Sequence, residues 1–152
     1  MRAAAARGFT LSGFTLIEAM IVVVVLAILA AIAVPSYRSY LLRAQRTEAT
    51  TALLRAAAAQ EKFFLQHNRY AADLAAEPPA GLGQRAVTER GYYDITNSVT
   101  EPGGDGFRVT ATPRHGGGQQ QDSLCALFQL DHNGVRGARN AVDEDATASC
   151  WR

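Results

Sequence analysis

The chain has 152 residues, a formal net charge of +1, 48% hydrophobic residues and 19% charged ones. That length accommodates one domain and an additional segment, and so balanced a charge gives no global sign of a nucleic-acid binder. The recognisable catalytic signatures are absent: there is no nucleophile elbow, P-loop, HExxH pair or paired-cysteine metal site. No cofactor is expected. Residues 14–34 are too apolar for a soluble core, and as a helix they would span roughly 30 Å, one hydrocarbon thickness. The remaining residues make a domain of marginal core size, which would benefit from a covalent staple.

The N-terminal region admits two processing readings. Arg2 and Arg7 form a basic start, and Ala31-Ile32-Ala33 before Pro35 fits the cleavage site of an ordinary secretory signal, which would release a soluble periplasmic protein. Against that reading, the apolar run is longer than a signal core and carries Glu18 inside it. A charge within a membrane segment is costly, at least ~2.5 kcal/mol near the bilayer centre, and so marks function. The second reading cuts after Gly13, where a residue without a side chain lets a protease approach the backbone closely.

Gly13-Phe14-Thr15-Leu16-Ile17-Glu18 followed by the apolar run Ala19 to Val34 resembles the class III leader of the type IV pilin family. By that resemblance a prepilin peptidase removes residues 1–13, cutting between Gly13 and Phe14, and N-methylates Phe14. The near-copy Gly8-Phe9-Thr10-Leu11 has Gly13 where the acid belongs, which argues against cleavage there. Ser12 stands where many relatives carry a basic residue, leaving Arg2 and Arg7 as the more distant cytoplasmic anchor.

Cleavage creates a positive amine on Phe14, four residues from Glu18. In a filament of packed helices, Glu18 of one subunit would reach the Phe14 amine of its neighbour. A buried ion is expensive unless paired, so the pair sets the register of otherwise featureless apolar rods. The plainer reading is a carboxylate at a helix N-terminus favoured by the macrodipole, worth ~0.3–1 kcal/mol.

Pro35 interrupts the apolar run. It removes a backbone donor and crowds the Ala31 carbonyl, so a kink or local melting is expected, or else a helix end followed by a second helix. The pilin family carries a proline at this spacing. Beyond it Leu42, Ala49, Leu53, Ala56 and Phe63 form one apolar helical face, suited to lie on a sheet. The basic side chains of Arg38, Arg43, Arg46, Arg55, Lys62 and Arg69 follow the apolar segment, which alone would favour the cytoplasmic side. Cys125 and Cys150 say the opposite: without metal-like spacing they read as a disulfide and an oxidising compartment. Closing a loop of about 25 residues contributes ~3.5 kcal/mol on the chain-entropy model.

After Tyr70 the composition turns to strands and turns. Tyr92–Val99 and Phe107–Thr112 alternate and are joined by a Pro-Gly-rich hairpin signal at 101–106. Leu124–Leu130 reads as a third strand, and Asn133-Gly134 as a tight turn into a fourth, Val135–Arg139. Asp143-Glu144-Asp145 lacks the alternation of a calcium loop and reads as solvated. His67, His115 and His132 are isolated and expected at the surface.

The expected fold is α+β, the type IV pilin fold: one long N-terminal helix, kinked near Pro35, on a roughly four-stranded antiparallel sheet with a disulfide-closed C-terminal loop. Three segments follow: a leader at 1–13, a transmembrane and polymerisation helix at 14–41, and a periplasmic or extracellular domain at 42–152. Within the family, the Gln-Asp-Ser-Leu-Cys lead, the Asn-Gly turn and the closing Cys-Trp look like the PilE-like minor pilins. The resemblance implies a structural subunit rather than an enzyme, supporting pilus assembly, adhesion and twitching motility. Its partners would be other pilin subunits, prepilin peptidase, the assembly platform and the bacterial inner membrane before assembly at the cell surface. A type II secretion pseudopilin and a DNA-uptake pilin are the alternatives. The second lacks an obvious basic stripe, because Arg85, Arg90, Arg108, Arg114, Arg136 and Arg139 are scattered along the sequence among acids. Mass analysis of the mature N-terminus separates the processing readings: N-methyl-phenylalanine at residue 14 is expected, and a start at Val34 would identify a released protein.

Overall fold

A computed structural model describes residues 14–100 and 105–152. Its longest element is α1, Leu16–His67, helical throughout its 52 residues. Thr15 caps it: the Glu18 N–H donates to Thr15 Oγ1 at 3.2 Å, satisfying one of the donors a helix start leaves free. Pro35 lies inside α1, and the helix runs on through it. The expected melting and the alternative of two separate helices are therefore both corrected. One missing donor removes a single bond of the ladder, and neighbouring turns keep theirs.

The described residues divide after Ser39 into two compact units. In the second, β1 (Tyr93–Val99), β2 (Phe107–Pro113), β3 (Leu127–Asp131) and β4 (Arg136–Arg139) follow one another across a single sheet. All three pairings are antiparallel, with Val99 opposite Phe107 and Leu130 opposite Arg136. Gly134, at φ +74°, provides the backbone conformation that the turn between β3 and β4 requires. The third strand starts later than expected, because Asp122 to Cys125 is a turn held by the Asp122 carboxylate, which accepts the Cys125 N–H at 3.3 Å. Two further short helices are η1 (Gly118–Gln121), before β3, and α2 (Thr147–Cys150), within the expected C-terminal loop. Each is four residues long, too short for a periodic apolar signal.

Ala49, Leu53, Ala56 and Phe63 of α1 pack with Tyr93, Ile95, Val109, Phe128 and Leu130 of the sheet in one core. Leu42 is only half-buried. The stripe contains a polar member, Gln60, which is fully buried. Its amide explains its place: Oε1 accepts the Ala71 N–H at 2.9 Å, and Nε2 donates to the Ala71 carbonyl at 2.8 Å. Nε2 also donates to Asn97 Oδ1 at 3.0 Å, tying the loop after α1 to β1. Further along that loop, a Cβ on Gly81 would lie 2.6 Å from the carbonyl oxygens of Asp73 and Ala76, so only glycine fits.

Gln60→Leu matches the apolar stripe but strands the Ala71 N–H and the Asn97 Oδ1, while the Ala71 carbonyl keeps its second donor, Asn97 Nδ2 at 2.8 Å. A loss of about 2 kcal/mol is expected, measured as a lower urea midpoint of the full chain in detergent micelles.

Candidate functional site

The expected functional residues of the N-terminal region lie at the start of α1, and Gly13 is outside the described residues. Phe14 is 78% exposed. Glu18 occupies the third helical position after the Thr15 cap, a Thr-x-x-Glu arrangement of the capping-box type. Only half of that box is made, because the Glu18 carboxylate has no hydrogen-bond or ion-pair partner among the described residues. Thr15 was legible in the sequence as the first member of this pattern.

Even with this acid, α1 has an 18-residue window of mean hydropathy 3.0 with none of it buried. It is long and apolar enough to cross a membrane. Met20, Ile21, Val23, Leu26, Leu29 and Ile32 are each more than half exposed. At this scale, uncovered apolar surface marks a membrane or protein contact. The arrangement can do no bond-breaking chemistry. It presents one carboxylate on an apolar rod.

The second unit carries a buried polar hub that the sequence reading missed. Arg46 donates from Nε and Nη2 to the two Asp122 oxygens at 2.7 and 2.8 Å, with side chains only 11% and 3% exposed. Asp122 also accepts from Gln119 Nε2 at 3.1 Å, and that nitrogen reaches the Leu42 carbonyl at 3.3 Å. The hub thus ties α1, η1 and the turn leading to Cys125. Nearby, the buried Tyr93 hydroxyl and Gln119 Oε1 have no partner among the described residues. Burial and then the Asp122 charge push the Tyr93 hydroxyl far up, so it stays protonated.

Cys125 and Cys150 form the expected disulfide, with Cα atoms 5.9 Å apart. Around Asp143-Glu144-Asp145 the acids are engaged locally: Asp143 faces Arg139 at 3.5 Å, and Asn140 donates to Glu144 at 3.0 Å. Hydrogen bonds from Thr147 hold the Asp145 carboxyl below its usual range. No cluster of three metal-ligating side chains occurs among the described residues.

His67, His115 and His132 are exposed, though His67 lies tilted against Phe63 with ring centroids 4.2 Å apart and His132 lies 6.4 Å from the Phe107 ring. The scattered arginines are partly gathered: Arg85, Arg90 and Arg114 line one depression around residues 84–91. Arg136 instead lies over the Trp151 ring at 5.3 Å.

Two family models match the chain. One, the prokaryotic N-terminal methylation motif, covers residues 12–34. The other, type IV minor pilin ComP, DNA uptake sequence receptor, covers residues 35–129. The chain is similar to the type IV major pilin protein PilA of Myxococcus xanthus, at 38% identity over 95 residues, 59% of this chain and 43% of that protein. It is also similar to the fimbrial protein EcpC of Eikenella corrodens, at 37% identity over 105 residues, 69% of this chain and 64% of that protein. It thus spans less than two thirds of either relative. The solved structure of the non-core minor pilin PilV of Neisseria meningitidis shares the fold, with a TM-score of 0.50 at 19% identity over 67% of this chain and 90% of that one.

Arg46→Met leaves the Asp122 carboxylate buried without its ion partner, and a loss of about 3 kcal/mol is expected. Replacing both, Arg46→Met with Asp122→Asn, removes the stranded charge while leaving a side-chain oxygen to accept from the Cys125 N–H or from Gln119. Thermal unfolding of the full chain in micelles should show the double variant less impaired than Arg46→Met.

Proposed function

Because the chain belongs to the type IV pilin family, we propose that it is a minor pilin incorporated into a type IV pilus with other pilin subunits. Prepilin peptidase removes residues 1–13 and methylates the Phe14 amine. Residues 14–41 hold the chain in the bacterial inner membrane, with 42–152 on the periplasmic side. The assembly platform then draws it into the surface filament, where it supports assembly, adhesion and twitching motility. The observation that carries this reading is the apolar start of α1, uncovered among the described residues, with a single carboxylate that has no partner among them. Lipid covers the apolar surface before assembly, and neighbouring helices cover it afterwards.

The exchange between these coverings gives Glu18 its role. A lipid tail offers the carboxylate nothing, whereas a neighbouring Phe14 amine offers an opposite charge in a medium that screens little. Registers that bring the two together are favoured over those that leave both ions bare. The minor-pilin assignment draws on the family model matched over residues 35–129, which describes a minor pilin. A type II secretion pseudopilin would share the α1 chemistry and is distinguished by which sheared filament contains the protein.

A second reading, a DNA-uptake pilin, is favoured by that model's description as a DNA uptake sequence receptor and by the gathering of Arg85, Arg90 and Arg114. Phosphate contacts release counterions, so binding through these arginines would weaken steeply with salt, with a logarithmic slope near −0.9 per phosphate. Titration of the full chain in micelles with duplex DNA at two salt concentrations tests it, and Arg85→Ala with Arg90→Ala should flatten the slope. Salt-independent or undetectable binding would remove this reading.

Glu18→Val should leave membrane levels and leader cleavage unchanged while the protein in sheared pili falls at least tenfold. Immunoblots of membrane and pilus fractions make the comparison, and normal incorporation of the variant would overturn the role given to Glu18.

A further inference from the structure

The outer edge of β4 is covered by the end of the chain rather than by another strand. The Ala138 N–H donates to Thr147 Oγ1 at 2.9 Å, and its carbonyl accepts the Ala146 N–H at 2.9 Å. The Trp151 Nε1–H donates to the Gly137 carbonyl at 2.8 Å. Residues 145–152 therefore blunt an edge that would otherwise invite pairing with another chain. The cover has a small apolar anchor: Ala146 and Cys150 are buried, and the Trp151 ring meets Phe128 edge-on at 6.2 Å. Its one covalent hold is the Cys125–Cys150 bond.

The connection from β4 to this cover is short and tightly wound. Asn140 Oδ1 accepts the N–H groups of Val142 and Glu144 at 3.0 and 2.8 Å. The Asn140 N–H donates to the Glu144 carbonyl at 3.0 Å. Within it Asp143 sits at φ +65°, a left-handed conformation unfavourable to a residue with a Cβ. A short strained hinge favours exchange of the element it carries: an extended hinge relieves the strain, while a second copy remakes every contact of the cover.

We propose that the disulfide locks this cover onto its own chain, and that chains meeting before the bond closes exchange residues 145–152. The occupant of the uncovered β4 edge is then the identical segment of a second copy, whose Thr147 and Trp151 take the same backbone partners. Its Cys150 arrives beside Cys125, so oxidation links the two chains. Each bond formed oxidises two thiols and reduces one molecule of a disulfide donor to two thiols, which receive the protons; the exchange passes through a mixed disulfide. Closure within one chain competes through its high effective concentration. Exchange therefore gains wherever copies are crowded, as they are when their apolar helices share one membrane.

The test uses the full chain in detergent micelles, prepared with light and heavy isotopes and mixed in equal amounts. The mixture is reduced without denaturant and reoxidised with glutathione disulfide at several protein-to-detergent ratios. Linked peptides are then identified by mass. Cys125–Cys150 links carrying both labels should appear and increase with crowding. Asp143→Gly removes the hinge strain together with the exposed Asp143–Arg139 ion pair, whose loss alone would loosen the hinge. It leaves the cover's own contacts in place and should lower the mixed-label share several-fold. Links within one label only at every ratio, between-chain bonds joining like cysteines, or an unchanged share in Asp143→Gly would each overturn the proposal.

Discussion

The constraint on which the rest of this molecule depends is that nothing among the described residues covers the first part of its longest element. The most apolar window of α1 has no buried residue. A soluble protein would lose solubility with such a surface, because uncovered apolar area of this extent drives association. Something beyond the described residues must cover it. On the proposed reading, that covering changes from lipid to neighbouring helices, and a single carboxylate distinguishes the two.

The second unit meets a different demand, to be stable with a small core. It is stapled at three levels. Gln60 anchors the loop after α1 through both backbone groups of Ala71. Asp122 gathers Arg46, Gln119 and the Cys125 N–H in one buried cluster. The disulfide then holds the chain end against the sheet. Asp122 and Cys125 lie three residues apart, so the hub fixes one end of the bridge to α1 while the other end carries the cover on β4. The exposed pair Arg55–Glu89, with both side chains more than 60% exposed, adds little beside these.

Much of this architecture was legible because its signals are periodic or local. The stripe from Ala49 to Phe63 and the Asn133-Gly134 turn follow from spacing and backbone preference alone, and the two cysteines had only each other. What escaped depends on contacts distant in sequence. Gln60 looks like an interruption of its stripe until Ala71 is brought beneath it. Arg46 resembles any basic residue on a helix surface until Asp122 arrives from 76 residues away. The arginines near 85–90 and Arg114 converge only because β1 and β2 pair. Thr15 was different: the Thr-x-x-Glu pattern was present, but the acid was read first for its charge. The helix continued through Pro35 because one lost bond is a small perturbation in so long a ladder.

The central claim is that Glu18 meets the Phe14 amine of another subunit once the filament forms. Solid-state magnetic resonance on filaments assembled in vitro from this chain alone, mixed from two labelled populations, addresses it directly. One population carries 15N-phenylalanine and the other 13C-glutamate. Dipolar contact is expected between the methylated N-terminal nitrogen of one population and a glutamate carboxyl carbon of the other, at ion-pair distance and absent from Glu18→Gln filaments. Contact confined to filaments whose subunits each carry both labels, or no contact at all, would contradict it.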